Sequence, residues 1–351
     1  MATPTYPSKR YYGCAVQQAA TWGTAVAVGA LDELVVTSDG NPSLKQAYST
    51  SDALNQVMPL DGDLGVYEPI EFAPEFGGNI GLQYSPGAMG SLIGAYFGTL
   101  IAPAAQGGTA AYKHIFCFAD QVTDFFTFVT ERPNDIWEIP SCIPNKLSFK
   151  VGGGKLQGSV GLIGNVLNNN SSTNAATQVD AISPETTGNF VKFQHGVLRM
   201  NTQAGSALAA PTDVVQVADL SIDFERTMPP QTSMGATYIA QPKESTFKTT
   251  VKITLPFVEA ANTWLDMFTA MTPMKMDITF QGALAAAGYP YEVQFSFPRL
   301  KLVTPPGINL EEIIKGTLEF VVEEAAAAPS GMAYVRPYMS FTNLRTTAYV
   351  T

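Results

Sequence analysis

The sequence predicts a mainly β chain built from two tandem β units, each carrying one amphipathic α-helix. Three observations carry that reading. Residues 156–163 (Leu-Gln-Gly-Ser-Val-Gly-Leu-Ile) and 314–321 (Ile-Lys-Gly-Thr-Leu-Glu-Phe-Val) share one pattern: apolar, polar, Gly, hydroxyl, apolar, any residue, apolar, apolar. A repeat of this kind points to two copies of one structural unit. The order strand, Pro, helix, strands, turn, closing strand also occurs twice. Finally, 30 Gly and 24 Pro among 351 residues, with abundant Val and Thr, favour many strands and many turns.

The length suits about two domains, because single cores rarely grow far past ~250–300 residues. The expected division is a first unit over 1–170, with an N-terminal arm and a long loop at 31–64. A second unit covers 171–328, and a C-terminal arm covers 329–351. Asp39-Gly40-Asn41-Pro42 and Asp61-Gly62 mark turns within the loop.

In the first unit, Ile80, Leu82 and Tyr84 alternate with polar or small residues, as a half-buried strand does. Pro86 ends that strand and suits the first position of a helix. Met89, Leu92, Ile93, Tyr96 and Phe97 then share one helical face. Glycines at 87, 90, 94 and 98 weaken that helix by roughly 1 kcal/mol each relative to Ala, so it must rely on packing. Strands are expected at 112–118, 125–130, 147–151 and 156–163, with Gly152-Gly-Gly154 as a turn.

The second unit repeats the order. Val251, Ile253 and Leu255 alternate, Pro256 stops the strand, and Phe257, Ala261, Trp264, Leu265 and Phe268 form a helical face. Strands follow at 274–280, 291–297 and 300–303, then a turn at Pro305-Pro-Gly307 and the closing strand 314–321. The spacing from Pro86 to Gly158 exceeds that from Pro256 to Gly316. The longer loop around Pro103-Ala-Ala-Gln-Gly-Gly108 accounts for the difference. Between the units, 168–174 (Asn-Asn-Asn-Ser-Ser-Thr-Asn) reads as a polar linker or exposed loop. The aromatic-rich segment after 329 reads as an arm that needs something to pack against.

Charged residues make up 14% of the chain and the net charge is −10. No window gathers Lys and Arg, so the basic footprint of a nucleic-acid-gripping protein is missing. Three cysteines, Cys14, Cys117 and Cys142, without CxxC spacing argue against a disulfide framework or zinc knuckle. The first residues lack the layout of a signal peptide, and no apolar run reaches the ~18 residues of a membrane helix. No membrane partner is expected.

Chemistry finds little to hold. His114 and His195 have no second ligand at helical spacing. Gly152-Gly-Gly-Lys155 lacks the Ser or Thr and the following helix of a phosphate loop. The carboxylate pairs Asp61/Asp63, Glu311/Glu312 and Glu323/Glu324 are too close in sequence to face one another across a substrate. Trp264 reads as core, with Trp22 and Trp137 at the core or an interface. No catalytic, cofactor-binding or metal-ligating residue is assigned, no cofactor is expected, and the chain is not read as an enzyme.

The stretch Tyr12-Gly-Cys-Ala-Val-Gln-Gln-Ala-Ala-Thr-Trp-Gly-Thr-Ala-Val26, with its Thr21-Trp22-Gly23-Thr24 turn, resembles the opening of major tail tube proteins of long-tailed bacteriophages. Gln17 and Gln18 stand where that family often has Glu. The order of an extended arm, β units with a helix and a C-terminal segment is also similar. The resemblance implies tail-tube-like β-sandwich units and a structural virion protein. It implies self-assembly into stacked rings that form a DNA conduit in the virion tail. Assembly would occur in the host bacterial cytoplasm, with other tail proteins as partners and DNA passing without specific binding. Two units per chain imply a trimeric, pseudo-hexameric ring, with a hexameric ring as the other possibility. The alternative reading is a carbohydrate- or receptor-binding β-sandwich of the fibre or adhesin type. A third is a hydrolase with a triad scattered in sequence.

Overall fold

Leu220, Ile222 and Phe224 alternate with Ser221, Asp223 and Glu225, and the structure turns the first set inward and leaves the second on the outer face. The same two-residue period organises most of the molecule. The computed structural model describes residues 14–30, 32–34, 82–132, 135–169, 171–182, 190–209, 211–229, 240–243, 246–256, 263–305, 307–309 and 315–350.

In chain order the strands are β1 (Cys14–Ala19), β2 (Gly98–Ala105), β3 (Tyr112–Phe118), β4 (Phe125–Arg132), β5 (Asp135–Val151), β6 (Gln157–Gly164), β7 (Asn168–Asn169), β8 (Gly196–Thr202), β9 (Val214–Val215), β10 (Asp219–Thr227), β11 (Thr246–Leu255), β12 (Met274–Ala286), β13 (Tyr289–Leu302), β14 (Gly307–Asn309), β15 (Lys315–Glu323) and β16 (Tyr338–Asn343). The helices are α1 (Ala88–Phe97), α2 (Ala176–Val179) and α3 (Thr263–Thr269). The chain is mainly β, and its strands join into one antiparallel sheet.

That sheet branches at its two longest strands. On one flank of β5, β4 pairs with the first part and β10 with the last, while β6 and β7 line the opposite flank. On one flank of β13, β16 pairs with the first part and β15 with the last, while β12 lines the other. Between the branch points run β10, β11 and β15. The sheet rolls so far that Phe149 on β5 meets Phe295 on β13, ring centroids 5.0 Å apart. Leu147, Phe149, Ile222, Phe224, Val251, Ile253, Leu318, Phe320, Val293 and Phe297 fill the space inside.

Helix α1 lies against this core, with Leu92, Ile93, Tyr96 and Phe97 fully buried as their spacing predicts. It begins at Ala88, two residues after Pro86, because Gly87 takes a positive φ of 54° at the N-cap. The expected strand at 80–84 is reduced to a single bridge, Gln83 with Phe190. Leu82 sends its N–H to Leu156 and its carbonyl to Val191, so each pairing lasts only one residue. Ile80 lies outside the described residues. The second helix is shorter and wetter. Trp264, Met267 and Phe268 lean on the core half-buried, whereas Leu265 is 43% exposed. Phe257 and Ala261 are outside the described residues, as is nearly all of the 31–64 loop.

Two segments read as loose in the sequence are docked within the chain. The C-terminal arm supplies β16, which inserts between β13 and β3, with both flanks paired. Residues beyond it fold over α1. Ser91 donates its hydroxyl to the Tyr349 carbonyl at 2.8 Å, and Tyr349 and Val350 are buried. In the polar stretch 168–174, Ser171 and Asn174 turn inward while Asn168, Asn169 and Ser172 stay exposed. Asn174, fully buried, donates to the Glu138 carboxylate at 2.7 Å and to the Val26 carbonyl at 3.0 Å. Ser171 donates to the same carboxylate at 2.5 Å. A buried carboxylate needs such donors, and here the Asn- and Ser-rich segment supplies them.

The tail's fit over α1 leaves no room for a side chain at Gly90. A Cβ there would fall 2.5 Å from the Tyr349 ring. Ala ordinarily exceeds Gly by about 1 kcal/mol inside a helix. At this position Gly90→Ala is expected to destabilise by roughly 1–3 kcal/mol through overpacking. Combining it with Tyr349→Ala should cost less than the sum of the single changes. Denaturant midpoints of the four proteins check this coupling.

His114 on β3 is also under the tail. Its Nε2 donates to the Arg345 carbonyl at 2.9 Å, and its ring meets Tyr349 edge-on. Burial pushes its pKa below the ordinary 6.5, since the charged ring would lose its hydration. The unfolded ring takes up a proton below about pH 6.5 while the folded ring resists it, so stability tied to His114 falls as pH falls through that range. The advantage of the wild-type protein over His114→Gln in urea midpoint should therefore shrink between pH 8 and pH 5. An unchanged gap would refute this assignment.

Candidate functional site

The chemistry-bearing residues singled out in the sequence are scattered, and several serve packing. His195 accepts or shares a hydrogen bond with the Tyr84 hydroxyl at 3.1 Å, some distance along the chain from His114 under the tail. Burial, with the Glu292 charge second, pushes the Tyr84 phenol up to about 12. Gly152-Gly-Gly154 is the exposed turn joining β5 to β6, and Lys155 lies over the Phe190 ring at 3.7 Å. Glu323 pairs with Arg299 at 2.8 Å and Lys301 at 3.2 Å, whereas Glu324 pairs with Arg336. Asp61/Asp63 and Glu311/Glu312 lie outside the described residues. Cys117 and Cys142 are buried free thiols. Burial pushes the Cys117 thiol up to about 12, far from the thiolate form that reacts. Among the described residues no group of three or more His, Cys, Asp or Glu is placed to hold a metal.

Beside a pocket of about 620 Å³ lined by Asn201, Thr202, Asp213, Gln216 and Trp264, the described residues present extended surfaces. The outer face of β6, β5, β10, β11, β15 and the end of β13 is one of them. Its side chains are Gln157 and Ser159, then Lys146, Ser148 and Lys150, then Ser221, Asp223 and Glu225, then Lys248, Thr250 and Lys252, then Thr317, Glu319 and Glu323, then Arg299 and Lys301. The register sets opposite charges directly across from each other: Lys146 with Glu225, Glu225 with Lys248, Lys252 with Glu319, and Arg299 with Glu323. Such cross-strand pairs stabilise by about 0.2–1 kcal/mol each. Ser148 and Ser221 both donate to the Asp223 carboxylate.

A second polar patch lies outside β12, β13, β16 and β3. The Asp277 carboxylate accepts from Ser296 at 2.7 Å and from Gln294 at 2.9 and 3.0 Å. Burial raises its pKa, partly offset by these donors. Lys113 reaches Gln294 at 3.2 Å and Glu292 at 3.9 Å.

The apolar surface is concentrated elsewhere. The β2–β3 turn and the β12–β13 tip carry no charge over 98–111 and 282–290, and Leu284 is 67% exposed. Gly107 sits against the Tyr289 hydroxyl, so the two tips touch. A cavity of about 390 Å³ between β8, β9 and β12 is lined by Val197, Val214, Val217, Ile278 and Phe280. Among the described residues none of the three tryptophans is exposed. Trp22 packs edge-on against Phe125 at 5.4 Å, and Trp264 leans on the core.

The N-terminal motif forms a built feature. Thr24 donates its N–H to the Thr21 carbonyl, and Gly23 has φ +85°, which closes the turn after β1. Gly23 N–H then donates to the Ser141 hydroxyl at 2.8 Å and Val26 N–H to Thr127 at 2.9 Å, which fastens the segment to β4 and β5. Sequence reasoning found the turn but missed its anchors, because Ser141 and Thr127 lie more than a hundred residues away.

No helix among the described residues is long and apolar enough to cross a membrane. No curated protein matches the chain. The family model described as phage tail tube protein matches residues 15–337, nearly the whole described fold. With that match, an antiparallel β architecture and surfaces made of sheet faces and hairpins, the chain belongs to the phage tail tube protein family.

Proposed function

We propose that this protein assembles into stacked rings that form the wall of a DNA conduit in a phage tail, and that each chain contributes two tube-like units to its ring. The units are 1–170 and 171–328, so three chains complete a pseudo-hexameric ring. The observation that carries the duplication is a shared strand order. In the first unit β1, β4, β5 and β6 lie side by side; in the second β8, β12, β13 and β15 do the same. Every neighbour is antiparallel. In both sets a helix precedes the second strand in sequence, α1 in one and α3 in the other. Each third strand is the long branching one, and a further strand lies beside its first half on the closing-strand flank, β7 in one set and β16 in the other. The two Gly-hydroxyl segments of the sequence fall on the two closing strands, β6 and β15.

Strands β2 and β3, inserted between α1 and β4, and the antiparallel pair β10 and β11, which bridges the two sets, are where the copies differ. Ring closure needs strand edges that can accept a neighbour. Among the described residues β2 pairs only with β3, and β6 only with β5. Neither carries a charge over its length. A scaffold of this kind needs no catalytic group. Other tail proteins would contact its open ends, and assembly would precede release from the host cytoplasm. The carbohydrate-binding alternative calls for an exposed aromatic platform, and the half-buried tryptophans do not offer one.

Purified protein examined by electron microscopy is expected to give long hollow tubes whose rotationally averaged rings contain three chains and six similar lobes. Six whole chains per ring would overturn the duplication while leaving the tube intact. Discrete particles that bind glycans and never elongate would overturn the tube itself.

A further inference from the structure

The outer face that runs from β6 to the end of β13 has a charge pattern that its fold does not require. Strand by strand the sign alternates: positive on β5 (Lys146, Lys150), negative on β10 (Asp223, Glu225), positive on β11 (Lys248, Lys252), negative on β15 (Glu319, Glu323) and positive on β13 (Arg299, Lys301). With Asp219, which also points outward on β10, the described side chains of this face hold six cations against five carboxylates, while the whole chain carries −10. Between the charges stand short hydroxyl and amide side chains, among them Ser148, Ser159, Ser221, Thr250 and Thr317. Aromatic residues are absent from the outward positions of this face. Subunit interfaces look different, since their centres are depleted of charge and enriched in aromatic side chains. The exposed large apolar side chains among the described residues lie off the middle of this face: Leu284 on a hairpin tip, Val197 and Val214 on β8 and β9, Leu265 and Met271 on and after α3, Phe247 at the start of β11, Val303 past the end of β13 and Leu344 past β16. The sheet beneath the patterned face is also the one whose end strand, β6, keeps an uncharged edge.

We propose that this face is the conduit wall, the surface that passing duplex DNA meets, and that its alternating carboxylates keep its cations from gripping phosphate. The proposal rests on the tube reading above. A wall of one negative sign would repel the duplex, and unpaired cations would hold it, since each neutralised phosphate releases counterions and adds affinity. A cation already neutralised by a neighbour across the strand gains little from a phosphate, because it must give up one partner to take the other. Lys252 lies 3.9 Å from Glu319, and Arg299 and Lys301 share Glu323 at 2.8 and 3.2 Å. These two carboxylates therefore restrain three cations.

Two measurements on the full-length protein test the proposal. Lys252→Cys, exposed on the subunit, is treated with a small maleimide–biotin after tubes have formed, then with streptavidin-coated gold. Biotin should be incorporated, yet gold should not decorate the tube walls. Gold along the length would put the face outside, and absence of biotin would bury it between copies; either result overturns the proposal. In the second measurement, tubes of Glu319→Gln/Glu323→Gln are mixed with a short DNA duplex and pelleted. Retention should rise about tenfold or more over wild-type tubes at 50 mM salt and be lost by about 200 mM. Equal retention by both would overturn the role of the carboxylates. If wild-type protein forms no tubes at all, the tube reading fails first and takes this one with it.

Discussion

The contact between Phe149 and Phe295 depends on a constraint that the rest of the molecule obeys: two long strands must each belong to two neighbourhoods at once. A strand of 17 residues spans roughly 55–60 Å, more than one antiparallel partner of ordinary length can cover. β5 and β13 therefore exchange neighbours midway, and the sheet divides at both. Where it divides it curls, and the inner aromatic residues of the two branch strands come face to face. The helix, the tail and the N-terminal turn pack onto the shape that results. A slip of one residue in either branch strand would turn its inner row outward and its charged row into the core.

Much of this was legible where the pattern was local. The apolar runs at 112–118 and 125–130, the alternation at 251–255 and the strand expected at 274–280 match strands of the structure, and the spacing of Leu92, Ile93, Tyr96 and Phe97 named the buried face of α1. The strands at 196–202 and 219–227 also alternate, but neither carries the Gly-hydroxyl motif that marks β6 and β15. β16 carries a short alternation, Met339 and Phe341 with Ser340 and Thr342, but all six of its residues are buried because β13 and β3 flank it on both sides. The polar segment at 168–174 is exposed at Asn168, Asn169 and Ser172, as an exposed loop is. Composition marks it as loop, but its amides and hydroxyls satisfy Glu138, which comes from a different strand.

Buried charge was the least readable feature. Lys275 is fully buried and donates to the Gly205 and Ser330 carbonyls at 2.8 and 3.1 Å. Arg226 donates to the Ala119 carbonyl and lies 3.8 Å over the Phe118 ring. Both find main-chain oxygens on distant loops, so no side-chain motif announces them. Their effect is to fasten irregular segments onto the sheet, which is why turns at 203–208 and 119–122 hold their places without secondary structure of their own. The presence of wide exposed sheet surfaces was legible in outline from low charge and many strands. Their division into a charge-balanced face and apolar tips needed the register.

The insertion of β16 between β3 and β13 sets a timetable. Those two strands are finished long before their shared neighbour emerges from the ribosome, and each must wait with one flank open until residue 343 has been made. Helix α1 waits longer still for Tyr349 and Val350. A partly synthesised chain thus lacks its completed fold, and the open flanks of β3 and β13 and one face of α1 are not all covered until residue 350 has been made. Pairing of such widely separated segments is slow. Delay of this kind gives the fold the character of a lock whose last pin drops only when Tyr349 and Val350 reach α1.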